Sequence, residues 1–448
     1  PFSSLLTYPF SYVLPLLIGA IVLFLVLLFF GFSLNKISIK KSLKGFVPFL
    51  ISIVLCSGVS FGLWKLLLII HPQYNDILQG FTYNGYTYIA AFVFLNLWIL
   101  LKTYTYFLKE EKIASFLIAP IFIWLIINSI ISVYLKGAGF LIIPVFCALF
   151  ILAIVIFTDF EARSKRILFT VLSIPTIYIF APLIQMFPVG LGLKNLFISG
   201  ILISLIFGLM LFSFYQKKSF WLLKTCGILT IIFFGYATYN SGFSINNKKP
   251  NSIVYIQNSD EKTAYFGTYD QVLDSYTKQI FDETATKGSI KSAETKSKYN
   301  TPFSYYTKTD FKDISSSKIV IDFDTIIDNK RLLELVITPS RKVNKYEFIA
   351  NNKVTLQQFK VNDAVVNNGK NYIVEKGTLL IYFMSNSDEN VTLSFSVNKD
   401  ENLDLILNEI SYDLLTNSNF TINPRSEEMM PMPFVTNDAI IISKKLKL

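Results

Sequence analysis

The residues able to do chemistry are few and scattered. The 448-residue chain holds one histidine, His71, and three cysteines, Cys56, Cys147 and Cys226. One imidazole cannot build a histidine-based zinc site. Three thiols inside apolar runs offer neither a disulfide framework nor a thiolate metal site. His71 has one acid close by in sequence, Asp76, and no nucleophile paired with it, so no triad is legible there. There is no phosphate-binding glycine loop, no HExxH and no CxxC. Paired acids occur in IDFD (Asp322, Asp324) and SEEMM (Glu427, Glu428). Paired carboxylates serve hydrolases or bind calcium, but a solvated strand face is the commoner outcome. Asn390-Val-Thr and Asn419-Phe-Thr match the glycosylation acceptor pattern, which matters only in a eukaryotic secretory compartment. Polar residues inside apolar runs include Lys65, Asn96, Asn128, Ser129, Gln185 and Lys194. Ionisable groups within a membrane are functional candidates by default. Lys65 and Lys194 sit near the ends of their runs and read as snorkelling, while Asn96, Asn128 and Gln185 read as bonds between helices. No run carries Asp or Glu at its middle, which argues against a proton-coupled carboxylate relay.

The elements that position these groups begin with eight apolar runs. They are Tyr12–Phe32, Phe46–Ile70, Tyr86–Phe107, Ile113–Leu135, Ala138–Phe157, Ile167–Phe187, Leu191–Phe214 and Phe220–Tyr239. Each approaches the ~20 residues a helix needs to cross a bilayer, and none shows the polar face of a soluble core helix. Pro48, Pro120, Pro144, Pro175 and Pro182 fall inside them and read as bends in bundle helices. Net charge is +10, yet residues 1–239 hold 16 Lys/Arg against 5 Asp/Glu and the remainder is nearly balanced. The basic excess therefore lies between the spans and is a topology signal; no nucleic-acid surface is implied. Basic loops (Lys36–Lys44, Lys102–Lys112, Arg163–Arg166, Lys217–Lys218) alternate with non-basic ones. The positive-inside rule places the basic loops in the cytoplasm and both chain ends on the opposite side. The outer loop HPQYNDILQGFTYNGYTY, His71–Tyr88, is dense in aromatics, with a turn expected at Asn84-Gly85. Its tyrosines read as interface anchors or as a contact surface for an extracytoplasmic domain.

Composition changes at Asn240. Residues 240–250 read as a polar linker, and residues 251–448 as a soluble β-rich domain. Two strands are expected over Ser252–Gln257 and Thr263–Tyr269. Helical spacing of Val272, Leu273, Tyr276 and Ile280 predicts one helix over Asp270–Phe281 with Asp270 as N-cap. Asp282–Asp313 reads as a loop. Short β-rich runs follow: Lys318–Ile327, Leu332–Thr338, Lys345–Ala350, Val354–Lys360, Tyr372–Val374, Thr378–Phe383, Val391–Val397 and Leu403–Ile410. Ala439–Ser443 would close the sheet. Such spacing predicts an antiparallel, sandwich-like fold.

The segment KKPNSIVYIQNSDEKTAYFGTYDQVLDSYTKQIF, Lys248–Phe281, resembles the stretch after the last membrane span in membrane-bound zinc metallopeptidases. These are the endoplasmic-reticulum metallopeptidase and vacuolar membrane protease group, with bacterial relatives, of the aminopeptidase-like family twenty-eight. The matching positions are Pro250, Asn251, Ser252, Lys262-Thr263-Ala264-Tyr265-Phe266, Tyr269, Asp270, Leu273, Asp274, Tyr276 and Thr277. Phe266 and Tyr276 stand where tryptophans are expected. Thr7–Leu16, Gly80–Tyr88 and Arg425–Pro433 are similar to other parts of that group, with Ser426 in place of a proline. The resemblance implies a zinc peptidase domain ahead of the bundle on its outer side. The first residue here is Pro, and something is expected to have preceded it. Zinc is expected for that upstream domain and no cofactor for this chain, because one histidine cannot supply the group's two-zinc site.

The resulting expectation is a bundle of eight transmembrane helices, residues 1–239, and a mostly β extracytoplasmic domain. Its role would be to anchor an upstream peptidase and shape peptide access, with the lipid bilayer and that domain as partners. The alternatives are a multi-pass transporter or lipid-handling protein, and a structural or interaction module.

Overall fold

The structure is a computed structural model describing residues 9–108, 113–158, 162–214, 219–290, 299, 301–386, 389–446 and 448. Thr7 and Tyr8 of the opening motif, and the loop lysines Lys109, Lys112, Lys217 and Lys218, lie outside the described residues. The chain divides into two units: residues 1–74 with 79–242, and residues 75–78 with 243–448.

The first unit is helical. Its helices are α1 (Val13–Ser33), α2 (Ile39–Ile70), α3 (Gly85–Phe107), α4 (Ile113–Tyr134), α5 (Ile143–Phe157), α6 (Ala162–Leu191), α7 (Leu196–Leu209), α8 (Leu211–Phe214) and α9 (Ser219–Tyr239). Among the described residues, seven helical segments are long and apolar enough to cross a membrane: Phe10–Ser33, Ile39–Ile70, Gly85–Phe107, Ile113–Tyr134, Lys136–Phe157, Ile167–Leu191 and Trp221–Tyr239. Large apolar side chains such as Val54 (68% exposed) and Ile69 (76%) point outward from this unit. In water such a surface would be an association liability; lipid accommodates it. These helices point to an integral membrane protein.

The run expected as a continuous seventh span, Leu191–Phe214, is broken. α6 extends through Pro188 to Leu191, and the chain turns only at Gly192. Gly192 takes φ +85, and a short 3-10 turn, Leu193–Asn195, leads into α7. α7 has 14 residues, about 21 Å against a hydrocarbon core of about 30 Å. The amide of Met210 is shared between the carbonyls of Ile206 and Phe207, separating α7 from α8.

Small residues let these helices approach closely. A Cβ on Gly200 of α7 would lie 2.9 Å from the carbonyl oxygen of Cys56 on α2, and one on Gly45 of α2 would lie 3.1 Å from the Cα of Phe116 on α4. Such contacts are the usual means of helix association in lipid. Pro188 cannot donate to the carbonyl of Ile184, four residues back. The Ser199 hydroxyl donates to that carbonyl instead, at 2.7 Å.

The second unit is mostly β. Its first strands are β1 (Lys249–Asn251), β2 (Val254–Asn258), β3 (Thr263–Thr268), β4 (Thr286–Lys287) and β5 (Tyr305–Thr309). They are followed by β6 (Lys318–Ile327), β7 (Lys330–Thr338), β8 (Lys345–Ala350), β9 (Val354–Val361), β10 (Ala364–Val365) and β11 (Tyr372–Val374). The last are β12 (Gly377–Phe383), β13 (Val391–Asn398), β14 (Leu405–Ser411), β15 (Met429–Pro431) and β16 (Ala439–Leu446). One sheet runs β12-β8-β14-β16-β2-β3-β5-β4, and a second runs β10-β9-β13-β7-β6 with β11 beside β9. A hydrophobic cluster draws on both, with Leu335 and Phe395 from the second sheet and Phe348 and Leu407 from the first.

Three expectations are corrected. The stretch Asp282–Asp313, expected as a loop, holds β4 and β5. The unit is not purely antiparallel, because β16 pairs parallel with β2 and β1 parallel with β15. β16 thus lies inside its sheet, between β14 and β2. The helix expected over Asp270–Phe281 is only a 3-10 turn, Thr277–Gln279, and Asp270 caps nothing. The reason lies in its hydrogen bonds.

Candidate functional site

β1 positions the site. Lys249, Pro250 and Asn251 pair with Met429, Met430 and Pro431 of β15. This brings the two ends of the β unit's sequence together. Arg425, just ahead of β15, donates through Nε to the Asn251 side-chain oxygen at 2.5 Å and holds Asp438 in a fork of 2.7 and 2.6 Å. Its guanidinium lies 4.4 Å from the ring centre of Tyr276. Asn437 donates to the Asn251 carbonyl at 2.9 Å and accepts from the Ile253 amide at 3.1 Å.

The centre is a lysine among three aspartates. Lys249 Nζ donates to Asp274 Oδ2 at 2.9 Å and to the Val272 carbonyl at 2.6 Å, and Asp76 Oδ2 lies 3.8 Å away. Asp76 belongs to the segment Asn75–Leu78, which is part of this unit. Its Oδ1 accepts from the Gln271 amide at 2.6 Å. Asp274 accepts from the Asn251 side chain at 3.1 Å and from the amides of Tyr276 and Thr277 at 3.0 and 2.9 Å. That last pair is an Asx turn, which starts the 3-10 turn and leaves no room for a longer helix. Asp270 Oδ1 accepts from the hydroxyls of Ser252 and Thr268 at 2.8 and 2.9 Å. Ser252 in turn accepts from the Tyr269 amide at 2.8 Å. Asp270 is therefore drawn into the interior instead of capping a helix.

Asp76 and Asp270 are fully buried, and the Oδ2 of each finds no hydrogen-bond partner among the described residues. Burial pushes Asp76 up to about 6, against the opposing pull of Lys249 and the backbone amides. Burial, reinforced by the charge of Asp76, pushes Asp270 up to about 7. Burial would raise Asp274 as well, but the Thr277 amide, Lys249 and Asn251 together outweigh it and hold this carboxyl below its usual range. Two carboxyls raised toward neutrality beside one firmly ionised resemble an acid–base pair in their electrostatics. With no exposed face on either raised carboxyl, the arrangement works as a joint that fixes residues 75–78, 249–252, 268–277 and 425–438 around one cation.

The resemblance-bearing positions Asn251, Ser252, Tyr269, Asp270, Asp274, Tyr276, Thr277 and Arg425 all fall in or against this joint. Pro250 is buried on β1, and Tyr269 stacks on Phe303 at 4.4 Å. Leu273 packs against the cluster of Tyr255, Tyr276 and Phe281. Tyr265 sits apart, half-buried, its ring 6.0 Å from Tyr306. Asp76 had a signal only as a neighbour of His71. Nothing local announces its bond to Gln271, 195 residues on.

The intramembrane candidates do not converge. Asn96 donates to Ser60 of α2 at 3.1 Å and to its own helix at 2.7 Å. Asn128 donates to the carbonyls of Trp124 and Leu141 at 2.9 and 3.4 Å. Gln185 is exposed along α6. Lys65 is exposed with its ammonium 5.8 Å from the Phe61 ring, and Lys194 is exposed in the turn after α6. The paired acids of IDFD separate. A bulge breaks the register of β6 between Ile321 and Phe323, and Asp324 is held by a bidentate Arg331 at 2.9 and 2.7 Å. Glu427 and Glu428 are solvated. Among the described residues no group of three or more His, Cys, Asp and Glu is placed to hold a metal ion.

No protein-family model and no curated protein matches this chain.

Proposed function

We propose that this chain is the non-catalytic, membrane-anchoring and substrate-access portion of a membrane-bound zinc-dependent peptidase. In this reading eight segments cross the bilayer, the broken α7–α8 run among them. Both ends lie on the extracytoplasmic side, and the β unit is a sandwich there. The upstream peptidase domain carries the zinc and cleaves the peptide. The observation that carries the reading is the convergence on Lys249. Residues that resemble the peptidase group over Lys248–Phe281, and Arg425 from the separate C-terminal resemblance, form one hydrogen-bonded joint, as a stretch with a shared structural task would.

The reading is tested on the full reading frame. Residues preceding Pro1 are expected to encode, in frame, a domain with paired His, Asp and Glu ligands. The purified full-length product is expected to contain zinc and to release N-terminal residues from peptides, with loss on chelation. An upstream sequence without such ligands, or a full-length product free of zinc, contradicts it.

A transporter reading draws no support from Lys65, Asn96 or Asn128, which face bonds or rings and do not gather around a common cavity. A lipid-handling reading is favoured by one feature, an apolar groove in the helical unit.

A further inference from the structure

The groove lies between α3 and α6 with α7 beneath. Tyr86, Ala90, Val93 and Leu97 line it from α3 at helical spacings of four, three and four. Ile177, Ala181 and Gln185 line it from α6 at successive spacings of four, all three exposed. Ile203 and Ile206 of α7 are buried and form its floor. Its volume is about 420 Å³, within the range of pockets that hold small ligands.

Its polarity is ordered. The polar side chains Tyr86 and Gln185 stand at one end, because α3 begins at Gly85 and α6 ends at Leu191. Those two helix ends are tied to each other: the Leu193 amide donates to the Gly80 carbonyl at 2.7 Å. From there to Leu97 and Phe214 the remaining walls are apolar. Tyr86 to Leu97 is eleven helical steps, about 16 Å. That is about half of a 30 Å hydrocarbon core, the depth of one leaflet. Two of the lining residues, Ala90 of α3 and Ala181 of α6, have small side chains.

We propose that this groove is a binding site for one acyl chain of a phospholipid from the leaflet at the Tyr86 end, with its headgroup at Tyr86 and Gln185. The chain fills the cleft left by the two alanines. The Tyr86 hydroxyl and the Gln185 amide meet the ester and phosphate oxygens at the interface, where tyrosines are favoured. This inference is independent of the peptidase reading, since it concerns only the helical unit.

The test uses the full chain in vesicles containing a phospholipid with a photoreactive group along its acyl chain, in phosphatidylglycerol and phosphatidylethanolamine versions. Crosslinks are expected to concentrate at least fivefold on peptides spanning 86–97 and 177–185 over the exposed face of α1. Ala181→Trp is expected to abolish that excess, while Val54→Trp on the outer face of α2 leaves it intact. Native mass spectrometry of the detergent-extracted chain is expected to show one retained phospholipid, lost in Ala181→Trp. Should Ala181→Trp not fold, Gln185→Leu is expected to lower retention severalfold. Crosslinks spread evenly over all exposed apolar faces, or equal retention in every variant, would overturn the proposal and mean annular lipid only. A failure of zinc binding in the full-length protein would leave it untouched.

Discussion

At the residue scale the account turns on Lys249. It is the one cation within reach of both Asp76 and Asp274 among the described residues, and both side chains are nearly or fully withdrawn from solvent. Removing one partner of a buried ion pair leaves uncompensated charge and costs about 3–5 kcal/mol. Lys249→Met is therefore expected to destabilise the β unit by an amount of that order, read as a lower denaturation midpoint of the full chain in detergent. Asp270 behaves in the opposite sense. Its folded value, about 7, and that of Asp76, about 6, both lie above the ordinary 3.8. Stability from these two groups is thus fully present below about pH 4 and is lost as pH rises through 6 and 7. Asp274, held low, acts the other way and only on the acid side of 3.8. Asp270→Asn keeps the acceptor for Ser252 and Thr268 and removes the buried charge. It is expected to raise the thermal midpoint at pH 8, to change it little below pH 4, and to flatten the profile between. A parallel profile in the variant would show that Asp270 does not titrate there. The sequence made Asp270, Asn251 and Tyr276 visible as positions in a familiar stretch. Asp76, which meets Gln271 and Lys249, and Arg425, which meets Asn251 and Tyr276, come from sites far along the chain, and such pairings follow from the fold alone.

At the element scale, the alternation of apolar side chains was enough to place strands such as β7 and β13, because burying one face demands it. Elements without that signature were not legible. β1 and β15 have three residues each, and β5, YYTKT, has no apolar alternation. The expected helix over Asp270–Phe281 had the right spacing of Val272, Leu273, Tyr276 and Ile280, but side-chain hydrogen bonds at Asp270 and Asp274 override it. In the helical unit, close approach at Gly200 gives a clean test. Gly200→Ala is expected to push α2 and α7 apart at the Cys56 carbonyl and destabilise by about 1–3 kcal/mol. Gly58→Ala meets nothing within 4 Å on α2 and is expected to be neutral or mildly stabilising through helix propensity. Thermal unfolding of the two variants side by side checks this, and equal midpoints would refute the packing argument.

At the scale of the whole molecule, a helical half rich in long apolar segments is joined to a mostly β half whose charges nearly balance. Hydropathy made the change from long apolar helices to β strands legible. It did not foresee that Asn75–Leu78 would belong to the second unit, since four residues inside a loop carry no periodic signal. The proposed topology would put the β unit on the extracytoplasmic side and the basic loops in the cytoplasm. The three native cysteines are buried and give little background for labelling. The most direct measurement is reaction of intact cells with a membrane-impermeant maleimide, using Ser418→Cys in the β unit and Lys36→Cys between α1 and α2. Ser418→Cys is expected to be labelled on intact cells and Lys36→Cys only after the membrane is opened. Labelling in the reverse order, or both positions on one side, would contradict it.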